Sequence, residues 1–195
     1  MDQVTAKADP EKAYAKPPEG SHICVVVDGV DLGMQQETYP GKPTRLVHKY
    51  AIVWQIDEIN PDTITEVTPK GKRFEVSKEF TVSMGEKANL RKFLATWRGK
   101  SYTDAEAAEG APLHKLYGAP GLMQIEHKQS KSNADRTYTN VISVVKLPKG
   151  VAPIQPLDYV RSEHWKERIA KQADGPVIDS DGFPVIDDED SELPF

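Results

Sequence analysis

KRFEVSKEFTVSMGEKANLRKFLATWRG, residues 72–99, carries two hydrophobic periods in one run. Over residues 72–84, Phe74, Val76, Phe80 and Val82 alternate with Arg73, Glu75, Ser77, Glu79 and Thr81. That period of two is the mark of a strand with one packed side and one wet side. From Leu90 the period lengthens. Leu90, Phe93, Leu94 and Trp97 recur at helical spacing, and Gly99 closes the run. Ser83 with Glu86 makes a capping-box pattern that places the helix start nearby. A strand passes into a helix here, and the fold follows from what flanks the junction.

Two strand-like runs precede it. Residues 21–32 contain the β-branched stretch ICVVVDGVDL. Residues 45–56, RLVHKYAIVWQI, put Leu46, His48, Tyr50, Ile52, Trp54 and Ile56 on one face and Val47, Lys49, Ala51, Val53 and Gln55 on the other. After the helix, Thr103 with Glu106 forms a second, weaker capping box, and Leu113 and Leu116 give one more helical turn before Gly118. Residues 122–128 and 137–147 read as two last strands joined by the polar loop QSKSNAD. The order β-β-β-α-β-β predicts a mainly β fold, an OB-like barrel with one main helix. Barrels of that kind bind oligonucleotides on the strand 2–3 face and through the 1–2 and 4–5 loops.

The composition divides the chain. Residues 1–20 are polar and proline-bearing and read as a disordered arm. Residues 21–150 form the barrel, 151–172 a proline-broken linker with a short helix, and 173–195 a disordered acidic tail. The net charge of −5 is unevenly spread: residues 1–150 carry +2 and residues 151–195 carry −7. From Asp174 onward there are eight acids and no base. That stretch repeats itself, Pro176-Val177-Ile178-Asp179 returning as Pro184-Val185-Ile186-Asp187. No run approaches the roughly 18 apolar residues of a membrane span, and the N-terminus is no signal peptide, so a cytoplasmic protein is expected. The one cysteine, Cys24, sits in an apolar run and reads as a small buried hydrophobe.

The end of the chain carries a specific pattern. Asp187, Asp188, Glu189, Asp190 and Glu192 lead into Leu193, Pro194 and a terminal Phe195. This resembles the C-terminal tip of bacterial and phage single-stranded DNA-binding proteins. The resemblance implies a partner-binding tail that recruits replication and recombination proteins. An aromatic ring would fill an apolar pocket, its carboxylate would meet a cation, and the upstream acids would face a basic rim. In the body, EGSHICVVVDGVDLG, KYAIVWQIDE, FTVSMGEKANLRKFLATWRGKSYT and NVISVVKLPKG are similar to a family of phage and prophage proteins associated with OB-fold single-stranded DNA binding. The likeness spans about residues 19–150. It implies a place in the bacterial host cytoplasm.

Sequence-tolerant binding of single strands needs cations along a groove and aromatic faces for bases. The candidates are Arg45, Lys49, Lys72, Arg73 and Lys78 around strands two and three, and Lys128, Lys131 and Arg136 around the 4–5 loop. Candidate stacking rings are Tyr39, Tyr50, Trp54, Phe74 and Tyr138. Trp54 and Phe74 also fit a core, whereas Tyr39 and Tyr138 lie nearest the loops. Enzyme signatures do not assemble. Gly41-Lys42-Pro43-Thr44 lacks the upstream glycine of a phosphate-binding loop. Asp179-Ser180-Asp181-Gly182 lacks the rest of a calcium loop. The five histidines have no zinc spacing.

The expectation is thus a non-enzymatic protein, without cofactor or metal, that coats single-stranded DNA and recruits partners through its tail. Homo-oligomerisation is left open. The alternative is an adaptor or inhibitor of a host DNA-processing protein, acting through the acidic tail without touching DNA.

Overall fold

The computed structural model describes residues 14–37, 41, 43–130 and 137–173. They form a mainly β structure: one five-stranded antiparallel sheet of order β3-β2-β1-β4-β5 and three short α-helices. The strands are β1 (Gly20–Glu37), β2 (Arg45–Asn60), β3 (Lys72–Thr81), β4 (Pro120–Gln129) and β5 (Thr137–Val145). The helices are α1 (Asn89–Arg98), α2 (Asp104–Glu109) and α3 (Glu163–Ala173). The expected element order holds. Each of the first two strands extends beyond its apolar run, into residues that alternate too weakly for a sequence pattern to claim.

β1 serves two partners. Residues 20–25 pair with β4, and residues 24–37 pair with β2. An extra residue at Val27 and another at Leu32 break the register with β2. Such bulges sharpen twist and bend a strand. The first also changes the parity of the strand, so Val25, Val27, Val30 and Leu32 all join one apolar cluster.

The sheet therefore buries both of its sides. On the inner side, Cys24, Val26, Ile52, Trp54, Ile56, Phe74, Val76, Phe80, Met123, Ile125, Val141 and Val144 pack against Leu90, Phe93, Leu94 and Trp97 of α1. Phe93 is the hub, with its ring centroid 4.8 Å from Phe80 and 5.9 Å from Trp54. The helix does not begin where the Ser83–Glu86 pair suggests. Ser83 Oγ instead accepts from the Gly85 backbone 3.2 Å away, and α1 starts at Asn89 with no side-chain cap. Packing of its apolar stripe compensates for the missing cap. Gly99 closes α1 at φ 69°, and the Thr103–Glu106 capping box forms as expected.

On the outer side, Val25, Val27, Val30, Leu32, Ala51 and Val53 are covered by the C-terminal segment, through Ile154, Tyr159, Trp165 and Ile169. Gln55, only 1% exposed, holds that segment like a strand partner. Its amide nitrogen donates to the Leu157 carbonyl at 2.8 Å, and its oxygen accepts from the Leu157 N–H at 2.9 Å. Residues 151–173 are thus a strap laid across β1 and β2. The arm just before β1 is also tied down. Ala15 N–H donates to Asp62 at 2.6 Å, and His127 donates its backbone N–H to Glu19 at 2.6 Å and its ring Nε2–H to the Pro17 carbonyl at 2.8 Å. Among the described residues no helix is long and apolar enough to cross a membrane.

Candidate nucleic-acid interface

The structure separates the proposed DNA-contacting side chains into three groups. Two aromatic candidates are core. Trp54 is 0% exposed and Phe74 is buried in the same cluster, so neither offers a face to a base. This corrects both assignments: they sit on the inner row of their strands, where the helix covers them. Tyr50 is half-buried. Its hydroxyl lies directly over Gly29, so a side chain there would meet the ring and displace it.

The cations of strands two and three are engaged within the protein. Lys49 and Arg45 both pair with Glu37, the latter at 2.9 Å. Arg73 donates to the Gln155 carbonyl at 2.7 Å, on the strap. Lys78 donates to the Val141 carbonyl of β5. Burial, together with the neighbouring Lys128 charge, lowers the Lys78 pKa from its ordinary value. Lys72 is an exposed residue at the start of β3 whose charge acts on Glu75. The outer row of β3 is acidic, with Glu75 and Glu79 exposed beside the strap. The strand 2–3 face is therefore covered and edged with carboxylates.

The third group stands at the far end of β4 and β5. Lys128 and Tyr138 are directly paired across the two strands. Tyr138 is 50% exposed, the most open of the candidate rings among the described residues. Glu126 receives Lys128 at 2.6 Å and the Asn140 amide at 2.7 Å. Those bonds hold its carboxyl below the usual range and raise the Lys128 pKa. Lys16 reaches the same place and donates to the Thr137 carbonyl at 3.0 Å. Sequence reasoning placed Lys16 in a disordered arm. The signal was the following Pro17-Pro18 pair, which stiffens the chain into an extended form that can lie across a sheet end. Tyr39, Lys131, Arg136 and the tail residues from Asp187 to Phe195 lie outside the described residues.

The strap is clamped by one carboxylate. Asp28 takes Arg161 in a two-point pair, Nε at 2.7 Å and Nη2 at 2.6 Å, and accepts the Tyr159 hydroxyl at 2.7 Å. Burial opposes ionisation of Asp28, but the Arg161 and Tyr159 hydrogen bonds outweigh it and hold the carboxyl below its ordinary value of 3.8. A group with a depressed folded-state pKa stabilises above the unfolded pKa and loses that contribution as pH falls through its folded value. The strap is therefore expected to loosen below about pH 4, seen as a change in tryptophan fluorescence. Asp28→Asn should remove that acid step; an unchanged step in the variant would show that another group controls it.

Compared with known proteins, the chain matches no family model and no curated sequence.

Proposed function

We propose that this chain is a single-stranded DNA-binding protein of the phage type, built on an OB-like barrel. The carrying observation is the strand order. In β3-β2-β1-β4-β5 the two end strands touch, with α1 between β3 and β4 in sequence lying against both ends. This order is compatible with a five-stranded Greek-key barrel, and supports the OB-like reading. The strap and the acids Glu75 and Glu79 disfavour the strand 2–3 face for a polyanion. DNA contact is assigned instead to the β4–β5 end: Tyr138 stacks a base, and Lys128 and Lys16, with Lys131 and Arg136 of the adjoining loop, neutralise phosphates. The acidic tip recruits replication or recombination proteins to the coated strand. The chain acts by coating and recruitment, without catalysis.

A fluorescence anisotropy titration of labelled oligo-dT, against duplex of equal length and over a range of salt, tests this. Binding restricted to the single strand is expected. With about four phosphate contacts, log K should fall against log salt with a slope of about −3. Tyr138→Ala should weaken binding by about 1–3 kcal/mol while leaving the unfolding midpoint in place. Absence of binding at low salt would remove the coating role and favour the adaptor, whose acidic tail acts on a protein partner.

A further inference from the structure

The β4–β5 end does not stand alone on the surface. Tyr138, Asn140 and Ile142 alternate along β5 and share one face. The Tyr138 side chain is 50% exposed and Ile142 46%. Along a strand the spacing from Tyr138 to Ile142 is about 13 Å. The row leads from the exposed ring to a groove of about 400 Å3. Lys78 of β3, Asn89, Lys92 and Phe93 of α1, and Ile142 and Ser143 of β5 line it. The seam between β3 and β5 is itself closed, because the Lys78 ammonium donates to the Val141 carbonyl. The groove is thus a surface to lie along, not a gap to enter.

Its charge favours an anion. The Lys78 ammonium stands 5.8 Å from the Phe93 ring centroid. Lys92 is exposed, one helix position before that ring, and among the described residues its ammonium has no carboxylate partner. Glu79 also borders the groove, but it belongs to the outer row of β3 and pairs there with Arg168 of α3. Lys128 is near enough to Lys78 for its charge to add to burial in lowering the Lys78 pKa. Glu126, which acts on both lysines, is held by Lys128 and by the Asn140 amide. Cations therefore continue from Lys16 and Lys128 through Lys78 to Lys92, and Ile142 gives them an exposed apolar neighbour. Ammonium groups beside an apolar ledge suit a nucleotide, whose phosphate needs the charge and whose base needs the ledge.

We propose that single-stranded DNA held at the β4–β5 end continues along the Tyr138–Asn140–Ile142 row into this groove, where Lys92 takes a phosphate and Ile142 supports a base. Lys78 adds charge without a direct contact, since its ammonium is committed to Val141. The inference rests on the proposed DNA-binding role and extends its site from the strand end onto α1. The helix then serves twice: its apolar stripe packs the sheet, and Lys92, outside that stripe, meets the backbone of the DNA.

The test is anisotropy of the full chain with labelled oligo-dT of two lengths. About five nucleotides fill the β4–β5 end, and about twelve reach the groove. Lys92→Ala should weaken the long oligomer about three- to tenfold and leave the short one unchanged. For the long oligomer its plot of log K against log salt should become shallower by about 0.7, the share of one phosphate contact. Lys92→Glu should deepen the loss, again for the long oligomer only. Lys115→Ala, at an exposed lysine outside the groove, should leave both unchanged. Wild-type affinity and slope in Lys92→Ala would overturn the path and leave the DNA-binding reading intact. An equal loss at both lengths would also overturn it, since that marks a general effect of charge. No binding of either length by the unaltered chain would overturn the DNA-binding reading and the path with it. A second measurement needs no substitution. Oligo-dT carrying a photoreactive thymine should crosslink to residues 89–96 as well as to β5; crosslinks confined to the β4–β5 end would sink the idea.

Discussion

Trp54→Ala is expected to cost about 3–5 kcal/mol, the usual result of emptying a large aromatic site in a core. That is most of the stability of an ordinary domain, so the variant should be largely unfolded, as read by urea denaturation followed by circular dichroism. The reason is position. Trp54 is sealed between β2 and α1, 5.9 Å from Phe93 and 6.0 Å from Trp97, ring centroid to centroid. No relaxation of one neighbour can refill that volume. Among the described residues the buried indole N–H has no acceptor, so size, and not hydrogen bonding, explains the residue. Trp54→Phe should accordingly retain the fold with a far smaller loss. Weakened DNA binding by Trp54→Ala at an unchanged unfolding midpoint would instead make the ring a base platform and move it out of the core.

The same residue shows what a sequence can and cannot reveal. Alternation along β2 correctly set Ile52, Trp54 and Ile56 on one face and Ala51, Val53 and Gln55 on the other. It could not say that both faces are covered, because the second cover is a segment a hundred residues away. Gln55, set by the alternation beside Val47, Lys49, Ala51 and Val53, is buried with its amide satisfied by Leu157. The sequence showed a short helix in this stretch, but nothing local names the surface that receives Tyr159, Trp165 and Ile169. For the same reason the cations were legible by type only. Whether Arg73 meets a phosphate or the Gln155 carbonyl depends on where the strap lies. The bulges at Val27 and Leu32 were hidden because an inserted residue breaks the very period used to find the strand. Tyr138 and Lys128 were legible because a strand end beside a polar loop is exposed in almost any arrangement.

Trp165→Ala carries the second large effect, about 3 kcal/mol or more, but its consequence is local. Trp165 is 7% exposed over Val25, Val27, Val30, Leu32, Ala51 and Val53. The strap's other links are the ion pairs at Asp28 and Glu79, the Arg73–Gln155 and Gln55–Leu157 hydrogen bonds and the smaller apolar contacts of Ile154, Tyr159 and Ile169, each polar link worth about 1–3 kcal/mol or less. Without the tryptophan the strap should open at equilibrium while the inner core, which shares none of these residues, stays folded. Limited proteolysis should then cut within residues 151–173 and leave residues 20–145 resistant. A strap that stays protected would mean that its polar links suffice. DNA affinity in the same variant decides between two surfaces. Opening the strap bares the outer face of β1 and β2 and frees Arg73 from Gln155. If DNA is held at the β4–β5 end, affinity for oligo-dT should be unchanged, because Lys16, Lys128 and Tyr138 do not touch the strap. A gain in affinity would place DNA on the bared face and make the strap its competitor, since a covering segment must be displaced before a ligand can occupy the surface beneath it.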